Sequence, residues 1–448
     1  MGNKVKVRDD DTWFEFEKSE DETSDFKLCE GSQVNWCDEN VFSVAELRNR
    51  IEPWLTSLFQ SEHLSLLVGS GLSTAIQNIA CDAADNGMGA FEPRSKYADR
   101  IIKMAKESAK KSGRGEEPNF EDYIRVMTEL LRGLEIIGNE TDTEELREEL
   151  KNAIEDFTNN ITAIEKSIAT SDEKNKERAF NNLVMFLLSF ASRTGTRDRL
   201  NIFTTNYDRI LEAGADIAGI HMLDRFVGYM TPIFRSSRMN IDMHYNPPGM
   251  RGEPRYLEGV VHYAKLHGSI DWISSENDIK KVCFPFGASK IEPYLDAPGL
   301  DAQATQIMIY PNATKDRETS EYPYVDLFRD FAAALCRPNN TLVTYGYSFG
   351  DEHINRIIKD MLTIPSTHLV IISYDDKMGR IQDIYDRWGR TNQTSLLIGD
   401  EVADIEKLVK YYLPKPAIDF ASVRMAEILS KRYNQVPITH NDTGEGRM

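Results

Sequence analysis

Cysteine is scarce and scattered in this chain: the five residues Cys29, Cys37, Cys81, Cys283 and Cys336 form no Cys-x-x-Cys pair and no cysteine–histidine cluster. An odd number at such spacing excludes a disulfide framework and argues against a structural zinc site, so no zinc is expected and the chain reads as reduced. Long apolar runs are also missing, which excludes a membrane-spanning helix. The N-terminus lacks the basic stretch and apolar core of a secretory signal, and a cytoplasmic location is the expectation. Basic residues fall short of acidic ones, 53 against 72, leaving a net charge of −19. Nucleic-acid binding draws on clustered Lys and Arg that displace phosphate counterions, so no direct nucleic-acid binding is expected. A local basic group, Arg225, Arg235, Arg238, Arg251 and Arg255, reads first as part of a solvated surface.

What the chain does have is length and a core. Its 448 residues, 41% of them hydrophobic and 10% aromatic, suit either several domains or one elaborated α/β domain with an insertion. Residues 1–40 form an acidic N-terminal arm, too rich in Trp13, Phe14, Phe16 and Trp36 to be simply disordered, and expected to pack on the body or on another subunit. Ser43 or Asn40 is placed to cap an amphipathic helix carrying Val44, Leu47, Ile51, Trp54, Leu55 and Leu58 at near-helical spacing. The main domain spans 41–400, with a helical insertion at about 92–192 where no convincing strand occurs. Segment 401–448 adds helices and a polar tail, Asn441 to Met448.

Strand-like runs recur at Leu64 to Val68, Leu200 to Thr205, Ala264 to Leu266, Gln306 to Tyr310, Thr341 to Tyr345, His368 to Ser373 and Thr394 to Ile398. Helical patterns follow most of them, over Asp208 to Ala218, Asp351 to Leu362 and Met378 to Trp388. Such alternation predicts an α/β fold with a mostly parallel sheet and helices on both faces. Ligands of such sheets sit at the carboxyl ends of the strands, and the polar motifs of this chain fall there.

Gly69-Ser70-Gly71-Leu72-Ser73 follows its strand directly, in the order strand, glycine turn, helix. Backbone N–H groups and a helix N-terminus there can face a phosphate, although a tight turn without a ligand fits as well. Thr204-Thr205-Asn206-Tyr207-Asp208 ends another strand. Its amide can orient a water or ribose hydroxyl and its carboxylate can accept from ribose, while ordinary N-capping is the plainer role. Gly346-Tyr347-Ser348-Phe349-Gly350-Asp351-Glu352-His353 is a second glycine-flanked turn opening a helix. Lys265-Leu266-His267-Gly268-Ser269 sets an imidazole at a strand end, poised for proton transfer, against the commoner fate of a hydrogen-bonded core histidine.

In this order the motifs resemble the sirtuin family, whose members bind NAD in a Rossmann-like domain. The resemblance runs from about residue 60 to 400, apart from the helical insertion. It implies a glycine motif at Gly69 to Ser73, an Asn-x-Asp pair in Asn206 and Asp208, a catalytic histidine in His267 and a cofactor turn in Gly346 and Ser348. Thr205 stands where the family usually has Gln, the zinc-cysteine module of its protein deacylases is missing, and Ser73 runs on into Thr74-Ala75-Ile76-Gln77-Asn78 in place of their acceptor loop. These departures are similar to those of sirtuin-like NAD-hydrolysing effectors of bacterial antiphage defence. That branch implies NAD as substrate, with His267 as general base, Asn206 positioning water or ribose and Asp208 holding ribose. Gly69, Ser70, Gly71, Ser73, Thr205, Gly346 and Ser348 would hold the cofactor. It also implies a homo-oligomer and a protein partner such as a HerA-type hexameric ATPase. An NAD-dependent protein deacylase and a non-catalytic NAD-binding scaffold remain as alternatives.

Overall fold

The computed structural model describes residues 2–8, 10–19, 25–37, 40–82, 91–111, 118–193, 197–237, 243–245, 255–256, 259–274, 278–296, 299–300, 307–309 and 322–415. Its frame is an 11-stranded sheet. Strand His63–Val68, apolar on both faces, lies between Asn340–Tyr345 and Asn201–Thr204 and runs parallel to both. From there the chain builds outward in two directions. Asn201–Thr204 leads to Val260–Lys265 and the edge strand His221–Leu223, while Asn340–Tyr345 leads to His368–Ser373 and Thr394–Ile398, all parallel. A sheet that changes direction of growth in this way opens a crevice above the strands where the change occurs. Register decides what meets there: Val68 pairs with both Thr204 and Tyr345, and Thr204 pairs with Lys265. The strands preceding all the polar motifs therefore end on one row.

The α/β architecture with a mostly parallel sheet agrees with the sequence pattern, and several strand limits shift by only a few residues. Ala264 to Leu266 is the end of a longer strand, Val260–Lys265. One expected strand has a different home. Ile307–Ile309, the core of Gln306 to Tyr310, pairs antiparallel with Gly268–Ser274 in a separate five-stranded sheet that also holds Ile279–Lys281, Ile233–Phe234 and Phe226–Val227. These strands are short and broken by turns, so the sequence shows neither a clear alternation nor a helix between them.

Four strands among the described residues of 3–42 extend the main sheet. Asn3–Lys6 pairs antiparallel with Thr394–Ile398, and Phe14–Lys18, Phe26–Leu28 and Val41–Phe42 follow in turn. Phe14, Phe16, Phe26 and Phe42 form one buried ring cluster, which explains the aromatics in an otherwise polar stretch. Helix Val44–Phe59 then starts on a reciprocal capping box between Ser43 and Glu46 and buries Leu47, Ile51, Leu55 and Phe59.

Among the described residues, four helices occupy the stretch expected to be helical: Ala98–Lys111, Phe120–Ile137, Glu140–Thr170 and Glu173–Ala191. Ile101, Met127, Leu134 and Leu146 give the outer ones a small core of their own. Glu173–Ala191 instead buries Leu183, Phe186, Leu187 and Phe190 in the main core beneath the sheet. Among the described residues no helix is long and apolar enough to cross a membrane. Arg238, Arg251, the expected helices beyond residue 415 and the tail Asn441 to Met448 lie outside the described residues.

Candidate active site

The two glycine turns pack backbone on backbone. A Cβ on Gly69 would lie 2.4 Å from the Gly346 carbonyl oxygen, and one on Gly71 would lie 2.6 Å from Gly346 Cα. Gly346 itself has φ +59°, a conformation L side chains rarely adopt. Gly69 N–H donates to Tyr345 O at 3.0 Å and Gly71 N–H donates to Gly346 O at 3.1 Å. These two amides therefore hold the turns together, and the helix N-terminus they frame begins at Ser70, where no side-chain cap is formed among the described residues.

Asn206 is 8% exposed and its amide orientation is fixed. Nδ2 donates to Gly69 O at 3.1 Å and to Ser73 Oγ at 2.9 Å, so both amide hydrogens are committed and Oδ1 is left as an acceptor. Ser73 Oγ donates onward to Asp208 Oδ2 at 2.6 Å. The other Asp208 oxygen accepts Ile210 N–H at 3.1 Å, at the start of helix Ile210–Ala218. Asp208 thus combines the helix-start role with the anchoring of a chain running Asn206 to Ser73 to Asp208.

His267, 8% exposed, sits where Val260–Lys265 gives way to Gly268–Ser274. The turn needs Gly268, whose φ is +87°. Lys265, buried beneath the turn, donates to Ser269 Oγ at 3.0 Å, Tyr207 O at 3.3 Å and Asp208 O, and pairs with Glu212 at 3.1 Å. Ser269 Oγ donates to Tyr207 O at 3.2 Å. The histidine turn and the Asn206–Asp208 loop are therefore laced together from below.

Asn206, Asp208, His267, Gly69, Ser70, Ser73, Thr205 and Ser348 line one cleft, and Gly71 and Gly346 line the compartment joined to it. The structure thus brings together residues more than two hundred positions apart. The compartments share Ser70, Thr74, Tyr347, Ser348 and Arg380 and have cavity volumes of about 170 and 840 Å³. Their sum is in the range of a cofactor-sized site.

Several lining residues carry no local signal in the sequence. Arg380 opens helix Arg380–Trp388 and reaches Gly350, where a Cβ would meet its Nη1 at 3.0 Å. Glu121 and Phe157 come from helices Phe120–Ile137 and Glu140–Thr170, and Tyr207 Oη donates to Glu121 Oε1 at 3.0 Å. Burial, aided by Glu121, pushes the Tyr207 phenol well above its ordinary range and keeps it a donor. Asn355 braces the second glycine turn, donating to Phe349 O at 2.9 Å and accepting from Tyr347 Oη at 3.1 Å. Of the basic group, Arg225 forms a bidentate pair with Asp330 at 2.7 Å and Arg235 pairs with Asp278 at 3.0 Å. Among the described residues no group of three or more His, Cys, Asp or Glu side chains is arranged to hold a metal.

The cleft joins an acceptor amide, carboxylates, one imidazole and one guanidinium at the carboxyl ends of parallel strands. The family described as SIR2-like domain matches residues 200–392, a span that includes Asn206, Asp208, His267, Gly346 and Ser348 and supports a sirtuin-like family for this chain. SIR2-like domains use NAD, so the match fits NAD-related chemistry in general. Comparison with curated proteins gives no match.

Proposed function

We propose that this chain is an NAD hydrolase that cleaves the nicotinamide–ribose bond to give nicotinamide and ADP-ribose. The observation that carries the reading is the convergence of Asn206, Asp208 and His267 on one cleft with both glycine turns, within and beside the SIR2-like span. Breaking the C1′–N bond sends its electron pair to nicotinamide and leaves an oxocarbenium-like ribose. The acidic lining, Glu121, Asp208 and Asp351, suits that positive charge, and Arg380 suits a pyrophosphate. Asn206 Oδ1 accepts from the attacking water or a ribose hydroxyl, and His267 takes the proton released when water bonds to C1′.

Insertion residues Glu121, Phe157, Ile161 and Ile164 wall the cleft, which supports NAD itself as the whole substrate in preference to an acyl-lysine peptide. The wider proposal is an antiphage effector that depletes NAD, acting as a homo-oligomer or with a HerA-type ATPase. Purified protein incubated with NAD, with and without that ATPase, should release nicotinamide and ADP-ribose. His267→Ala and Asn206→Ala should each lower the rate by about 10² to 10⁴ with the fold retained by circular dichroism. Undiminished hydrolysis in both variants would sink the reading. Release that requires an acyl-lysine peptide would make the chain a deacylase, and tight NAD binding without turnover a scaffold.

A further inference from the structure

The imidazole of His267 meets a second one. His267 Nε2 lies 3.3 Å from Nε2 of His353, which is in the first turn of helix Glu352–Met361. Their ring centroids are 5.4 Å apart and the ring planes differ by 28°. That separation is close to the N···N distance extended by the two ring radii, so the contact runs edge to edge, with the ring planes tilted by 28°. It is the geometry of an N–H···N hydrogen bond and not of a stack. The edge of Phe328 against His353, at a centroid distance of 4.8 Å, holds the second ring in place.

Such a bond needs one proton between the two nitrogens, so one ring donates and the other accepts. The helix N-terminus carries a partial positive charge, which disfavours an imidazolium in the first turn and favours a neutral His353, a form that can accept at Nε2. We propose that His353 is a positioning residue: it accepts from Nε2–H of His267 and so fixes His267 in the tautomer whose Nδ1 lone pair is available to the cleft. No bond to His267 Nδ1 is formed among the described residues. Resting on the hydrolase reading above, this makes Nδ1 the atom that takes the proton from water as its oxygen bonds to C1′. The Nε2–H···Nε2 bond then becomes charge-assisted and stabilises the imidazolium formed. In the reverse arrangement His267 would present an N–H to the cleft and have no basic nitrogen there.

Nitrogen NMR of the full chain labelled at histidine, assigned by loss of signal in His267→Gln, reads the tautomer without any need for turnover. The expected result is a pyridine-like Nδ1 and a protonated Nε2 on His267 in the parent protein and in His353→Gln, whose amide oxygen can accept. His353→Phe should show mixed tautomers. In NAD turnover, His353→Phe should lower kcat by about tenfold or more with KM within about twofold, and His353→Gln should recover most of the loss. A protonated Nδ1 in the parent protein, or an unchanged tautomer in His353→Phe, overturns the proposal. If the chain does not hydrolyse NAD, the kinetic comparison falls with that reading while the tautomer still decides this one.

Discussion

Gly346 shows how narrow the tolerance is at single positions in this cleft. Its positive φ and its contact with Gly71, where a Cβ would stand 2.6 Å from Cα, leave no room for a methyl group. Gly346→Ala should destabilise the protein by about 1–3 kcal/mol, read as a lower urea midpoint at unchanged slope. His368 makes a prediction in pH. Burial, aided by Lys6, lowers its pKa to about 4, and its Nε2 sits 2.9 Å from Ser395 Oγ. The unfolded chain protonates this histidine near its ordinary pKa of 6.5, so between 6.5 and 4 the unfolded state binds more protons. Stability is therefore lost as pH falls through that window, by up to about 3 kcal/mol from this residue. Denaturation of His368→Gln beside the parent at pH 7 and 4.5 should show a smaller loss in the variant. An equal loss in both would assign the acid sensitivity elsewhere.

An ion pair also ties the helices of residues 98–191 to the cleft. Glu165, fully buried on helix Glu140–Thr170, accepts Arg209 N–H at 2.8 Å and its guanidinium at 2.5 Å, immediately after Asp208 in the chain. Arg209 also donates to Phe284 O at 2.7 Å and lies 3.6 Å from the Phe284 ring centroid. Removing one partner of a buried pair leaves an uncompensated charge. Glu165→Ala should lose about 3–5 kcal/mol in chemical denaturation. The helices themselves were legible in the sequence because capping residues and apolar spacing are local: Ser43 with Glu46, Asn119 with Asp122 and Asp172 all start helices. Glu165–Arg209 was not legible, since nothing in either local sequence points to a partner 44 positions away.

Across the whole molecule, the N-terminal strands complete the sheet. Asn3 Oδ1 accepts Glu401 N–H at 2.8 Å, and Lys6 donates to Thr391 O at 2.9 Å, joining the two ends of the described fold. Removing residues 1–42 would strip strand Thr394–Ile398 of its neighbour and uncover apolar surface beneath it. An unpaired edge strand is a template for association. The truncated chain should therefore lose solubility and elute as aggregate in size-exclusion chromatography, whereas a monodisperse, fully folded truncation would contradict this role.

The local pattern by itself determined the parallel strands, the helices that cover them and the placing of Asn206, His267 and the glycine turns at strand ends, because period, turn chemistry and strand-end placement are properties of short segments. Tertiary structure decided the rest. Register alone sets Val68, Thr204, Lys265 and Tyr345 on one row and so turns separate motifs into a cleft. Folding also added Glu121, Arg380 and His353, whose contacts depend on distances that no spacing along the chain encodes.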